Sequence, residues 1–191
     1  LSVMLYHLDR EIELCRIEAD RLYIPYNELL RTDMAEQLKQ VKGAGREIFA
    51  YIPAIIKGRQ TENLKKNAEK LTAFAGGFLA GNIGTFELLR SRLGADAEIM
   101  GDYTMNILNS SSMETLNENG FSGTALSYEL NLAQLGALSK PEGFVTEAGI
   151  YGRIPVMTSE YCPVGGSVGN TAPESCGAQC KNGVYHLKDR K

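Results

Sequence analysis

The chain has 191 residues, 43% of them hydrophobic and 23% charged, with a net charge of −3. That is ordinary globular composition, long enough to bury one core, and its bulk charge does not point to nucleic acid. No stretch reaches the roughly 18 apolar residues of a membrane span.

Short apolar runs alternate along the chain with longer amphipathic segments. The runs are SVMLY, RLYIPY, EIFAYIP, GGFLAGN, AEIMGDY, GTALS and GFVTEAGIYG. Each is bounded by Gly, Pro, Asn or Asp, and most are rich in Ile, Val, Phe or Tyr, which predicts buried strands. The segments between them predict helices. In NELLRTDMAEQLKQVKG the side chains of Leu29, Leu30, Met34, Leu38 and Val41 recur at helical spacing. Asn27 is the expected N-cap there, and Gly43 is expected just past the end. GTFELLRSRLG and SYELNLAQLG each close on a glycine in the same way, and Cys15 falls on the expected first helix. Strictly alternating strands and helices predict a parallel sheet covered by helices. About seven such units point to a (β/α)8 TIM-type barrel, incomplete in this chain, with a doubly wound open sheet as the alternative. No G-x-G-x-x-G follows the first strand, which weakens a dinucleotide-binding reading.

Barrels of this kind carry their chemistry at the carboxyl ends of the strands. Those ends supply His7 and Asp9, Tyr26 and Asn27, Pro53, Asn82, Asp102 and Tyr103, Ser127 and Glu129, then Glu147. Any loop offers polar residues, so each one singly has an ordinary explanation. A barrel would nevertheless converge the set on one mouth. The barrel-like part is expected over residues 1–160. A Gly-, Ser- and Pro-rich tail over 161–191, within the same domain, is expected to form neither helix nor strand from about Gly165 onward.

Three of the four cysteines, Cys162, Cys176 and Cys180, fall in that tail as C-x13-C-x3-C. Clustered cysteines in a reducing compartment favour metal or redox chemistry over disulfides. A C-x3-C pair in a turn can present two thiolates to one metal, and a bound metal would order a segment that cannot bury itself. Cys15 is the remaining candidate ligand. Four thiolates suit zinc or a 4Fe–4S cluster, and spacing does not decide between them. The alternative for each cysteine is a free thiol, and Cys15 would also serve as a small buried hydrophobe.

Several motifs carry less. GGSVG at 165–169 matches G-x-S-x-G, but a nucleophile elbow needs a strand immediately before its serine, and Pro163 and glycines stand there instead. Neither histidine has ligand spacing. The segments IIKGRQTENLKKNAEK and KNGVYHLKDRK are basic, which a solvated surface explains as readily as RNA. No signal peptide is recognisable, so a cytoplasmic location is expected. The chain opens on Leu1 and reads as a domain excised from a longer protein, with flanking domains.

The stretch EAGIYGRIPVMTSEYCPVG, with Glu147, Tyr151, Gly152, Arg153, Val156, Met157 and Cys162, resembles the segment that marks peptidase family U32, the collagenase-like proteins. GDYTMNILNS, ALSYEL and YHLKDR extend the resemblance. It implies a (β/α) barrel with a carboxyl-terminal cysteine cluster. In several relatives that cluster is 4Fe–4S and supports hydroxylation of RNA bases or of a quinone precursor, with prephenate linked to some as the oxygen source. Many members have a cysteine where this chain has Pro155, which makes Cys15 the natural substitute ligand. On this reading Cys15, Cys162, Cys176 and Cys180 hold the metal. Arg153 binds an anionic co-substrate or phosphate, Glu147 positions Arg153 or transfers protons, and Asp102 belongs to the catalytic set. Asn82, Tyr103, Glu129 and His7 line the substrate site. A metal-dependent peptidase with Glu147 as general base is the alternative, and a zinc-stapled module that docks RNA or a partner is the third reading.

Overall fold

In a computed structural model, which describes residues 1–8, 12–155, 157–159, 161–168, 180 and 183–186, the chain forms one seven-stranded parallel sheet. The strands are β1 (Ser2–Met4), β2 (Arg21–Pro25), β3 (Glu47–Ile52), β4 (Gly77–Ala80), β5 (Ile99–Gly101), β6 (Gly123–Ala125) and β7 (Val145–Glu147). They lie side by side in chain order, and all seven fall within the apolar runs. The sheet curls into a half-barrel, an α/β fold compatible with an incomplete TIM-type barrel. The curl is visible where the Ser2 hydroxyl at the start of β1 donates to Glu147 Oε1 at the end of β7, 2.8 Å away. A flat sheet would hold these first and last strands apart.

The near-continuous apolar runs follow from burial on both faces. On the convex side Leu22, Ile24, Ile48, Ala50, Ile52, Phe78 and Ile99 meet the helices in one large core. On the concave side the alternate residues Tyr23, Phe49, Tyr51, Leu79 and Met100 form a second cluster, with Met4 packed against it. Gly77 is required by this filling, because a Cβ there would lie 2.5 Å from the Phe49 ring.

The helices are α1 (Tyr26–Leu29), α2 (Ala35–Gly43), α3 (Arg59–Leu71), α4 (Ile83–Leu93), α5 (Ser110–Glu118) and α6 (Leu132–Ala137). Asparagine starts three of them. Asn82, Asn109 and Asn131 each accept a backbone N–H in the first turn, and Asn131 forms a capping box with Gln134. The single helix expected over residues 27–43 is instead broken. Arg31 is extended at φ −75°, ψ 127°, between α1 and a 3-10 turn at Thr32–Met34 that leads into α2. Its guanidinium pins the break by bonding Glu28, Asp33 and the Leu8 carbonyl. Asn27 therefore lies inside α1, and Pro25 takes the cap position. The helix expected from Ser127 begins only at Leu132, where the capping box fixes its start, and runs through Gly136. Cys15 sits on a 3-10 turn, Leu14–Arg16, not on an α-helix.

The chain divides into two compact units, Leu1–Ile150 and Tyr151–Lys191. In that second unit Pro163–Val168 is a short helix, α7, contrary to the expectation of no helix beyond Gly165. Proline suits its first position, and Ser167 Oγ bonds back to the Pro163 carbonyl at 2.8 Å, so residues 165–168 of that motif are helix, not the strand-to-helix turn an elbow needs. No helix among the described residues is long and apolar enough to cross a membrane.

Candidate active site

Asp102 follows β5 directly and lies at the carboxyl end of the sheet, 1% exposed. Burial pushes its carboxyl up to about 6, while hydrogen bonding from the Tyr103 amide and from Thr104 pulls the other way. Thr104 Oγ1 lies 3.2 Å from Asp102 Oδ2 and donates to the Gly81 carbonyl at 2.8 Å. A carboxyl poised near pH 6 at a strand end can take up and return a proton under ordinary conditions.

Four tyrosines lie close enough to this carboxyl to feel its charge. Tyr6 follows β1 and Tyr51 belongs to β3; their rings meet edge to face with centroids 6.3 Å apart. Tyr103 follows β5 and Tyr128 follows β6; their rings are tilted at 40° with centroids 4.6 Å apart. All four phenols are raised, by burial first. The Asp102 charge adds to each. Tyr103 reaches about 12. Tyr51 is buried, whereas Tyr6 and Tyr128 are exposed at the rim. Asn106, at φ 54°, turns the chain between Tyr103 and α5, and Ser127 Oγ donates to its side-chain oxygen at 2.8 Å. Asparagine is among the few residues that adopt this left-handed conformation readily.

Asp102 and Tyr103 were legible from the strand-end rule, but Tyr6, Tyr51 and Tyr128 were not singled out. For Tyr6 and Tyr51 the signal was the period-2 register; Tyr128, in the loop after β6, had none. Tyr6 stands two residues after Met4, and Tyr51 two after Phe49, which places both on the concave side.

Glu147 stands elsewhere. Its carboxylate accepts from Ser2 Oγ and from Tyr23 Oη at 2.8 Å each, and pairs with Arg21 Nη1 at 3.3 Å. Arg21, its side chain 12% exposed, also pairs with Glu47 at 2.7 Å and Glu98 at 3.8 Å, and lies 4.0 Å from the centre of the Phe49 ring. Burial alone would lower the Arg21 pKa, but the bonds to Tyr23 and Glu47 outweigh it and raise it. Burial and the Glu147 charge both raise Tyr23. This interior hub ties β7 to β1, β2, β3 and β5. Arg21 was not legible beforehand, because a basic residue opening a strand looks like a surface charge.

The other expected site residues bond to other partners or face solvent. Asn82 uses both ends of its amide, accepting from the Thr85 N–H at 2.7 Å and donating to the Ala54 carbonyl at 2.6 Å. His7 is exposed, with Nδ1 3.3 Å from Glu28 Oε1. Glu129 is exposed in the loop after β6. Arg153 is exposed and belongs to the second unit. A shallow cleft of about 390 Å³ beside Phe78, Leu93 and Glu98 lies at the amino ends of β4 and β5, the end opposite Asp102.

Of the four expected metal ligands, Cys15 belongs to the first unit, and Cys162 and Cys180 to the second. All three are exposed free thiols, the form a thiolate ligand requires. Cys15 Sγ donates to Gln40 Oε1 at 3.8 Å, and Cys162 Sγ accepts the Gly165 N–H at 3.2 Å. An N–H bond to sulfur is one of the levers that tunes a ligated thiolate. Cys176, like Asp9 and Val156, lies outside the described residues. Among the described residues no three His, Cys, Asp or Glu side chains gather as a metal site. The donor chemistry fits a thiolate-bound metal; the assembled set is not within the described residues.

The family model for peptidase family U32 matches residues 16–191. The chain belongs to peptidase family U32. A solved structure described as the U32 peptidase Mk0906 aligns at 14% identity, with a TM-score of 0.48. The alignment covers 68% of this chain and 60% of that one, so this U32 chain spans somewhat under two thirds of that protein's length. No curated protein matches the chain.

Proposed function

We propose that this U32 chain is an iron–sulfur-dependent enzyme that supports hydroxylation of RNA bases, with the reacting group presented at the tyrosine-ringed end of the sheet. The observation that carries the reading is buried Asp102, poised near pH 6 within the ring of Tyr6, Tyr51, Tyr103 and Tyr128. Tyrosine faces stack planar bases without regard to sequence, and a carboxyl with a raised pKa exchanges protons with what is stacked there. Asp102 moves the proton, and the rim tyrosines orient the ring and exclude water. In the second unit Arg153 holds an anionic co-substrate, for which a guanidinium is suited by its bidentate geometry. RNA reaches the site with help from flanking domains of a longer chain.

Cys15, Cys162, Cys176 and Cys180 would hold a 4Fe–4S cluster, with zinc the alternative. When bound, a cluster of this type supplies one-electron redox chemistry. A reducing cytoplasm keeps such thiols free for ligation. The peptidase alternative asks Glu147 to act as general base, and that carboxylate is already shared among Arg21, Tyr23 and Ser2. The test is anaerobic purification with iron and sulfide analysis, paired with base analysis of RNA from a deletion strain complemented by wild type or by Asp102→Asn. Brown protein and a modified base restored by wild type alone support the reading. Protein that stays colourless after anaerobic reconstitution, or gelatin hydrolysis lost on Glu147→Ala, overturns it.

A further inference from the structure

Among the described residues, two acids at least partly buried in the sheet region, Glu28 and Glu147, are paired with arginine, whereas buried Asp102 is not. Glu28, also buried, meets Arg31 at 2.6 Å and His7 at 3.3 Å. Glu147 meets Arg21. Asp102 is the most deeply buried of these acids, yet its partners are the Tyr103 amide and Thr104, with no cationic side chain among the described residues. An unpaired carboxylate in such a place is costly unless it takes a proton or gains a counter-charge.

The surrounding tyrosines favour a counter-charge from outside. An aromatic face is negative, so rings grouped about one point attract a cation and repel an anion. None of the Tyr6, Tyr51, Tyr103 or Tyr128 hydroxyls has a hydrogen-bond partner among the described residues, which leaves four phenol oxygens able to accept. Both ring pairs, Tyr6–Tyr51 and Tyr103–Tyr128, lie within reach of the Asp102 charge, with Tyr6 and Tyr128 open to solvent.

We propose that this end of the sheet binds an organic ammonium group, its nitrogen paired with Asp102 and enclosed by Tyr6, Tyr51, Tyr103 and Tyr128. A primary ammonium is compact and carries three N–H donors, which one carboxylate and nearby phenol oxygens satisfy. Calcium or magnesium would need six or more oxygen ligands, commonly with several carboxylates, and only one carboxylate is here. An anion would meet Asp102 and the ring faces unfavourably. The inference does not rest on the hydroxylation reading. A substrate amine can be held here whichever reaction follows, so either proposal can fail without the other.

The site also predicts its own pH dependence. A proton and an ammonium compete for the same carboxylate, so affinity falls about tenfold per pH unit below about pH 6 and levels off above it. No other titratable side chain makes a hydrogen bond or ion pair with Asp102 among the described residues, and the four phenols stay protonated across this range.

The chain has nine tyrosines and no tryptophan, so tyrosine fluorescence reports on the mouth without a competing emitter. The full chain is titrated with n-butylammonium chloride, with n-butanol, and with sodium chloride at matched ionic strength. The expected result is saturable quenching by butylammonium at pH 7.5, at least about tenfold tighter than by butanol, and about tenfold weaker at pH 5. Asp102→Asn should weaken butylammonium at least tenfold and remove the pH dependence. Tyr128→Leu, at the exposed rim and harmless to the core, should weaken it about three- to tenfold. Equal responses to butylammonium and butanol, a response reproduced by sodium chloride, or unchanged affinity in both variants would overturn the proposal.

Discussion

Replacing Asp102 by Asn should change how stability depends on pH. The side chains are nearly isosteric, but Asn does not titrate. In the unfolded chain Asp102 titrates at its ordinary 3.8, and in the folded chain at about 6. The folded state therefore binds the extra proton between those values. Stability contributed by the protonated carboxyl is fully present below pH 3.8 and is lost as pH rises through 6. A shift of about two units corresponds to roughly 3 kcal/mol. Urea denaturation of wild type and Asp102→Asn at pH 4.5 and pH 7.5 isolates the effect, because all other groups titrate alike in both proteins. About 1 kcal/mol of this is already lost at pH 4.5, so the difference in unfolding free energy should move by about 2 kcal/mol in favour of Asn between the two pH values. Asn loses some hydrogen bonding from the Tyr103 amide and Thr104, which offsets its absolute stability but not the pH-dependent part. Parallel profiles would refute the argument that Asp102 is held unpaired in a desolvated site.

Three other outcomes follow from the interior. Arg21→Met strips the counter-charge from Glu147, Glu47 and Glu98 at once and should cost about 3 kcal/mol by denaturant melts. Tyr23→Phe removes one bond to Glu147 and should cost about 1 kcal/mol, and its combination with Glu147→Gln should be non-additive in a double-mutant cycle. Gly81→Ala would set a Cβ 2.5 Å from Ala54 Cα, where only backbone could give way, and should cost about 1–3 kcal/mol; Gly76→Ala, with nothing within 4 Å, should shift the melt by less than about 0.5 kcal/mol.

The inner strands β2 to β6 were legible because both faces are largely buried, which writes apolar runs into the sequence; the edge strands β1 and β7 are only partly buried but keep enough apolar residues to show. The caps at Asn82, Asn109 and Asn131 agree with that pattern. The helix break at Arg31 was not legible, because its cause is a guanidinium bonding three groups, Leu8 among them, that lie on both sides of it in the chain. The strand-end rule found Asp102 and Tyr103, since polar residues follow β5 directly. Glu147 has the same address at the end of β7, yet its carboxylate bonds Ser2, Tyr23 and Arg21. Strand tilt carries that carboxylate to the start of β1 and β2, an offset no single strand encodes. His7 and Asn82 obey the same rule in sequence, and their side chains bond Glu28, Ala54 and Thr85. Convergence of the four tyrosines depends on curl and register together, so they became visible only once the strands were aligned.

The most direct test of the account is a carbon-13 NMR titration of the Asp102 carboxyl, assigned by its loss in Asp102→Asn, with and without saturating n-butylammonium. The account predicts a midpoint near 6 in the free protein and a clear fall when the ammonium is bound. A midpoint near 3.8 in the free protein, or one that does not move on addition of the cation, would contradict it.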